Sequence, residues 1–294
     1  MTTWSGNARS RLKNRHRLSN IFRICCTLTT YFGVAVLIIL LYGIAKIGFE
    51  WIDTRLINNM PSQLFPEKAG VKSALWGTVW LIGLTALISI PIGVAAAIYL
   101  EEYSRKGKVS TLIEINISNL AGVPSIVYGI LGLVIFARWV GAGDSLITGA
   151  LTMSLLVLPV VITASREAIK AVPPLTRQAA FAVGGTRWQT VWHHVLPASL
   201  PGVITGVILS LSRAMGETAP LIIIGAATFL LAVPSDPFND SFSALPLQIY
   251  DWTSQPKEIF HQKAAAAILV LLAVLLFMNA IAVFIRHRYQ RKTL

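Results

Sequence analysis

Six apolar runs, approximately 24–47, 72–100, 113–137, 145–165, 199–231 and 263–285, dominate this chain. About 20 residues of helix cross a hydrocarbon layer of roughly 30 Å, and each run supplies that length. Lipid offers no water to a backbone N–H or C=O, so continuous runs of this kind must be helices. The expected fold is therefore all-α, a polytopic membrane protein with six transmembrane helices. Composition agrees, since 54% of residues are hydrophobic and 13% charged, against about a quarter charged in soluble domains. The first run, 24–47, is too long for a signal peptide and lacks a small-residue cleavage site. It is expected to remain as the first transmembrane helix.

Basic residues set the expected orientation. With the N-terminus inside, six spans return the C-terminus inside as well. The inner segments (1–23, 101–112, 166–194, 286–294) then hold 17 Lys and Arg, and the outer ones (46–72, 138–144, 232–263) hold 7. The positive-inside rule counts only these residues and places both termini in the cytoplasm. The net charge of +12 is then a topology signal. It does not point to nucleic acid, because the charges are spread over four short ends rather than gathered in one domain. Cys25 and Cys26 are neighbours in a helix and point apart, so they form no ordinary disulfide.

Along the chain, residues 1–23 form a basic arm expected to lie against anionic membrane lipid. One membrane domain, 70–286, follows the first span, and a short cytoplasmic tail occupies 287–294. Loops at 48–71 and 232–262 are rich in proline and acidic residues and are expected outside. Gly202 and Gly206 are four apart, and Gly129 and Gly132 three apart, spacings that allow close helix approach. Pro124 and Pro220 fall inside the third and fifth runs and leave the carbonyls of Leu120 and Gly216 without their helical donors. They are tolerated kinks or the lining of a cavity, since bare carbonyls at membrane depth need protein or water.

Between the fourth and fifth runs lies RQAAFAVGGTRWQTVWHHVLP, residues 177–197. Its amphipathic pattern predicts a short helix from near Pro174, a turn at Gly184–Gly185 and a second short helix ending before Leu196–Pro197. A plain loop is the alternative, but structureless loops of about thirty residues are uncommon. Gln178-Ala179-Ala180, Gly184 and Leu196-Pro197 resemble the coupling motif of bacterial ABC importer permeases of type I. That motif runs Glu-Ala-Ala, three residues, Gly, nine residues, Ile, one residue, Leu-Pro. Here Gln178 replaces the glutamate and His194 the isoleucine, which puts an ion pair at position 178 in doubt. The resemblance implies that 174–197 is a cytoplasmic coupling helix that docks on an ATPase subunit. Arg177, Gln178, Ala179, Ala180, Gly184, Gly185, Leu196 and Pro197 would carry that contact. His193 and His194 have no acidic or cysteine neighbours at ligand spacing, so they are interface residues and no metal is expected.

Arg213 sits 12 residues past Pro201, roughly 18 Å along a helix and near mid-membrane. An arginine there costs about 2.5–3.5 kcal/mol on insertion scales and normally faces a cavity or a partner. Glu217, four residues on, is expected on the same helical face. Mutual neutralisation would explain the pair; so would an anion path, because a guanidinium grips phosphate oxygens through two parallel bonds. The runs SRAMGETAP (212–220), AGVPSIVYGILGL (121–133) and AAIYLEEYS (96–104) resemble the phosphate-specific importer permeases. Residues 246–272 resemble their A-type subunit rather than its C-type partner, and the likeness covers about 70–286.

This resemblance implies a permease for inorganic phosphate, with Arg213 and Glu217 on the path and Thr218, Ser125 and Tyr128 as further polar contacts. The implied partners are a second, related permease, two copies of an ATPase subunit and a periplasmic phosphate-binding receptor. No G-x-x-x-x-G-K-[ST] loop occurs, so ATP and its magnesium belong to a partner chain and this chain carries no cofactor. No nucleophile–base set appears at membrane depth, so no catalysis is expected. Permeases for sulfate, molybdate or phosphonate, and an ion-driven secondary carrier or channel, are the alternatives.

Overall fold

The computed structural model of the protein describes residues 4–105, 107–226, 230 and 232–290. The extreme ends of the expected basic arm and tail, and most of 227–231 in the fifth run, lie outside these. Every regular element among the described residues is helical, as the need to satisfy the backbone in lipid demands.

Helix α1 (Trp4–Gly48) takes in residues 4–23, so the basic segment extends the first helix instead of forming a separate arm. Its apolar side chains from Leu18 to Tyr42 are exposed, and it meets the bundle at Gly48, where a Cβ would stand 2.8 Å from the Ala265 carbonyl. A short helix α2 (Thr54–Asn58) follows, capped by the Asp53 carboxylate, which accepts from the Leu56 N–H at 2.7 Å. Helix α3 (Lys72–Ile98) then crosses the bundle and ends in a π-turn over Tyr99–Tyr103.

The third apolar run is not one straight span. It divides into α4 (Lys108–Ala121) and α5 (Ser125–Gly132), the latter continued by a π-helical stretch to Trp139. The two halves are bent by 101°. Pro124 explains the break: it offers no N–H and disfavours a helical conformation at Val123. The pair still carries the chain across. Helix α3 reaches Glu101 at one end of the bundle, whereas α6 (Leu146–Lys170) starts at the other, where the Leu146 N–H donates to the Asp240 carbonyl.

Next come α7 (Pro174–Ala182), α8 (Arg187–Thr190) and α9 (Leu196–Met215). A π-turn over Val191–Val195 joins the last two, so Arg187–Met215 is one uninterrupted helix. The expected stop before Leu196–Pro197 does not occur. Pro197 lacks a donor for the His193 carbonyl, and the widened turn, in which Leu196 N–H reaches the Val191 carbonyl, absorbs the defect without ending the helix. The fifth run instead stops at Met215. Beyond Gly216 lie α10 (Ala219–Ile223), then α11 (Leu245–Ser254) and α12 (Glu258–Gln290).

Five helices among the described residues are long and apolar enough to cross a membrane, six with the bent pair. At the centre, α6 packs between α3 and α9 around buried Leu81, Met153, Val157, Met215 and Leu221. The α6–α9 seam is closed by the glycine pair: a Cβ on Gly202 would stand 2.7 Å from that of Ala168, and Gly206 abuts Ala164. At the loop end a second cluster gathers Leu56, Val71, Trp252 and Phe260. Buried Lys263 sits in it, donating to the carbonyls of Glu67 and Ala69. These contacts fix the helices that carry the charged groups described next.

Candidate functional site

Helix α9 ends two residues after Arg213 because Gly216 caps it and Pro220 cannot extend it. Glu217 therefore lies past the helix end and not on the same helical face. It still reaches back, and its Oε1 stands 3.7 Å from Arg213 Nε. The Arg213 side chain is 67% exposed and that of Glu217 20%. So open a pair contributes about 0–1 kcal/mol and leaves most of the five guanidinium N–H donors free. Mutual neutralisation does not use up this arginine.

Arg213 borders a cavity of about 210 Å³ with Ser210 from its own helix. The break between α4 and α5 forms the opposite wall, Leu120 to Ser125, with Tyr128 behind it, and α6 supplies Leu156, Val157 and Val160. Arg213, Ser125 and Tyr128 are thus brought together, while Glu217 is not part of the lining. Thr218 lies beyond and caps α10, its carbonyl accepting from the Ile222 N–H. The wall is braced from behind, because Gly129 of α5 lets Pro220 of α10 approach to where a Cβ would be 2.8 Å away. Helix α5, which follows the Pro124 break, is thus packed on α10, which has Pro220 in its first turn.

The Tyr128 hydroxyl donates to the Leu120 carbonyl at 2.7 Å. That carbonyl is the one Pro124 leaves without a helical donor, so Tyr128 serves the backbone of the break as well as the cavity.

At the other end of α9, α7 and α8 form a lever-shaped helix–turn–helix. Gly184 takes φ +83°, a left-handed conformation that other residues reach only with strain. Thr186 then starts the next helix with a capping box closed by Gln189. A shallow polar pocket of about 370 Å³ unites Ala180, Gly184 and Gly185 with Gln189, Thr190, His193 and His194. Gln178 and Ala179 are exposed beside it. Leu196 and Pro197 lie within the long helix, away from this pocket. Trp188 and Trp192 are largely exposed and stack at 5.5 Å. Among the described residues no group of three or more His, Cys, Asp or Glu could hold a metal.

Arg177 is the exception in this segment, for it turns inward. Its guanidinium donates to Glu102 at 2.7 and 3.0 Å and to the carbonyls of Ile169 and Val172. Beside it Arg166 pairs with Glu101 at 2.8 Å and Glu114 at 2.9 Å. Sequence reasoning missed Glu101, Glu102, Glu114 and Arg166. The available signal was two adjacent acids at the end of one apolar run, facing a segment that carries unpaired arginines.

A helical membrane domain of this kind has known counterparts. Residues 89–291 match the family described as binding-protein-dependent transport system inner membrane component. The chain belongs to this family. As such an inner membrane component it is a multi-pass permease subunit that carries out no catalysis itself. It is 34% identical over 234 residues to the phosphate transport system permease protein PstA 1 of Mycobacterium tuberculosis (strain CDC 1551 / Oshkosh), covering 78% of this chain and 75% of that protein. To phosphate transport system permease protein PstA of Yersinia pestis it is 28% identical, over 91% of this chain and 90% of that one. Its fold resembles a bacterial alginate ABC transporter solved in complex with an alginate pentasaccharide-bound periplasmic protein. The TM-score is 0.63 at 17% identity, over 100% of this chain and 99% of that one.

Proposed function

We propose that this inner membrane component is one half of the translocation path of an ATP-driven importer for inorganic phosphate. The names of its relatives support the solute, and the open guanidinium of Arg213 at a cavity wall supports an oxyanion. The observation that carries the reading is the uninterrupted helix Arg187–Met215, which joins the lever directly to Arg213. A rigid rod of 29 residues transmits a push at one end as a displacement at the other.

In this reading the lever end faces the cytoplasm, as the 17-to-7 division of Lys and Arg favours, and both termini lie there. Two ATPase subunits (PstB-like) bind ATP and magnesium and close on the levers of this chain and of a second permease (PstC-like). A periplasmic phosphate-binding receptor (PstS-like) delivers the anion to the loop end. The pocket at Gly184–Gly185, with exposed Gln178 and Ala179 beside it, is the ATPase contact. Arg213 takes phosphate oxygens and Glu217 accepts from a phosphate P–OH, which sulfate lacks at neutral pH.

The test is ATP hydrolysis and anion uptake by the complete complex in vesicles. Phosphate with its receptor should stimulate both, and sulfate neither. Uptake that needs no nucleotide, or equal stimulation by sulfate, would overturn this function.

A further inference from the structure

Two arginines link the lever to the far wall of the Arg213 cavity. Both are largely buried, with side chains 18% exposed at Arg166 and 22% at Arg177, so neither is placed for a partner protein to grip. Arg177 ties α7 to Glu102 and to two carbonyls near the end of α6. Glu101, the neighbour of Glu102 in the π-turn, accepts from Arg166 Nε at 2.9 Å. The Nη2 of Arg166 stands 2.8 Å from the same Glu101 oxygen and 2.9 Å from Glu114 of α4. Helix α4 in turn ends in Leu120, Ala121 and Gly122, which form the cavity wall opposite Arg213.

We propose that Arg166 and Glu114 are positioning residues that carry lever movement into α4. The two walls of the cavity are then driven together: α9 moves Arg213 directly, and the ion-pair chain moves the Leu120–Pro124 wall. One guanidinium nitrogen shared by two carboxylates makes a stiff joint, because the planar, delocalised charge fixes both acids at once. With the α9 route alone, Arg213 would shift against a stationary wall and the anion would lose one side of its site. This deepens the proposed function and rests on the lever being where force enters.

Glu114 is the place to test it, because its side chain is 43% exposed and its neutralisation leaves the Arg166–Glu101 pair in place. Spin labels at Leu112 in α4 and Leu175 in α7, with Cys25 and Cys26 replaced by serine, report the joint in the complete complex. The parent should give one narrow distance in both the nucleotide-free and the ATP-bound state. In Glu114→Gln that distance should broaden or split on ATP binding, and phosphate uptake per ATP should fall about tenfold while hydrolysis continues. Arg166→Lys should restore part of the uptake relative to Arg166→Gln. Glu114→Gln with the parent's distances and uptake overturns the proposal, as does a parent whose labels separate when ATP binds. The distances need no solute, so a complex that fails to import phosphate refutes the assigned solute and leaves this joint to be judged by its labels.

Discussion

The hydroxyl of Tyr128 donates to the carbonyl of Leu120 across the bend made by Pro124, at 2.7 Å. The proline removes a donor from the middle of an apolar run, and a side chain eight residues on supplies one. The bend is thereby kept open at little cost in unpaired backbone. Because the same carbonyl also accepts from the Val123 N–H at 3.1 Å, Tyr128→Phe should remove only about 0.5–1.5 kcal/mol. The complex should still assemble, with a thermal midpoint lower by roughly 2–4 °C per kcal/mol and with slower uptake. A variant indistinguishable from the parent in both measurements would show that the hydroxyl is dispensable to the bend.

On the proposed function, Arg213 and Glu217 should separate binding from selection. Arg213→Ala should lower phosphate uptake by about a hundredfold, the loss of one or two charge-assisted hydrogen bonds at roughly 1.5–3 kcal/mol each. Arg213→Lys should recover only part, since an ammonium is a point charge that cannot span two oxygens. Glu217→Gln should fold and bind phosphate while admitting sulfate, because the repulsion that excludes a fully ionised anion is gone. Competition of sulfate against labelled phosphate in vesicles measures this. Should the variant reject sulfate as well as the parent does, the carboxylate is no filter.

Features that arise from one residue's own chemistry were legible in the sequence. Pro124 and Pro220 announce lost donors, Gly202 and Gly206 announce close approach, and an arginine in an apolar run announces a cavity. What they could not announce was where those features meet. The Gly129–Pro220 contact and the Arg166–Glu101 pair join residues from distant runs, and only the packed bundle determines them. The stop assigned to Leu196–Pro197 failed for a different reason. Proline ends a helix only if the turn before it cannot widen, and the π-turn at Val191–Val195 does widen. Spacing alone puts Glu217 on the helical face of Arg213, but the helix ends at Gly216 before reaching it.

The two glycines of the lever should fail differently. Nothing lies within 4 Å of a Cβ built at Gly184, whose φ is +83°, so there the obstacle is conformation. At Gly185 a Cβ would meet the Ala180 carbonyl at 2.8 Å, so there the obstacle is space. Gly184→Ala should cost about 1–2 kcal/mol of left-handed strain, and Gly184→Asn much less, since asparagine tolerates that region. Gly185→Ala should be restored by neither asparagine nor serine. Co-purification of the ATPase subunit with each variant, followed by ATP-dependent uptake, checks the order. Equal loss for alanine and asparagine at 184 would contradict the conformational account.

Asp251 in α11 should make the protein less stable as the pH rises. One of its carboxylate oxygens is buried without a partner. Burial holds the carboxyl above the usual carboxylate range, only partly offset by a hydrogen bond from Gln255. The folded protein therefore binds a proton that the unfolded chain has already released at the same pH. Between those two pKa values the unfolded state carries fewer protons, and stability falls with increasing pH. Below about pH 4 the acid is protonated in both states and the effect vanishes. Asp251→Asn, which presents a neutral side chain of the same shape, should then be more stable than the parent at pH 7.5. The gap should be constant above the folded-state pKa and narrow below it as the pH is lowered towards about 4. Thermal unfolding of the two proteins in the same detergent across that range measures the difference. A parent that is the more stable of the two at pH 7.5 would mean that the carboxylate is held by a cation, and α11 would then be bound to its surroundings by charge and not merely buried among them.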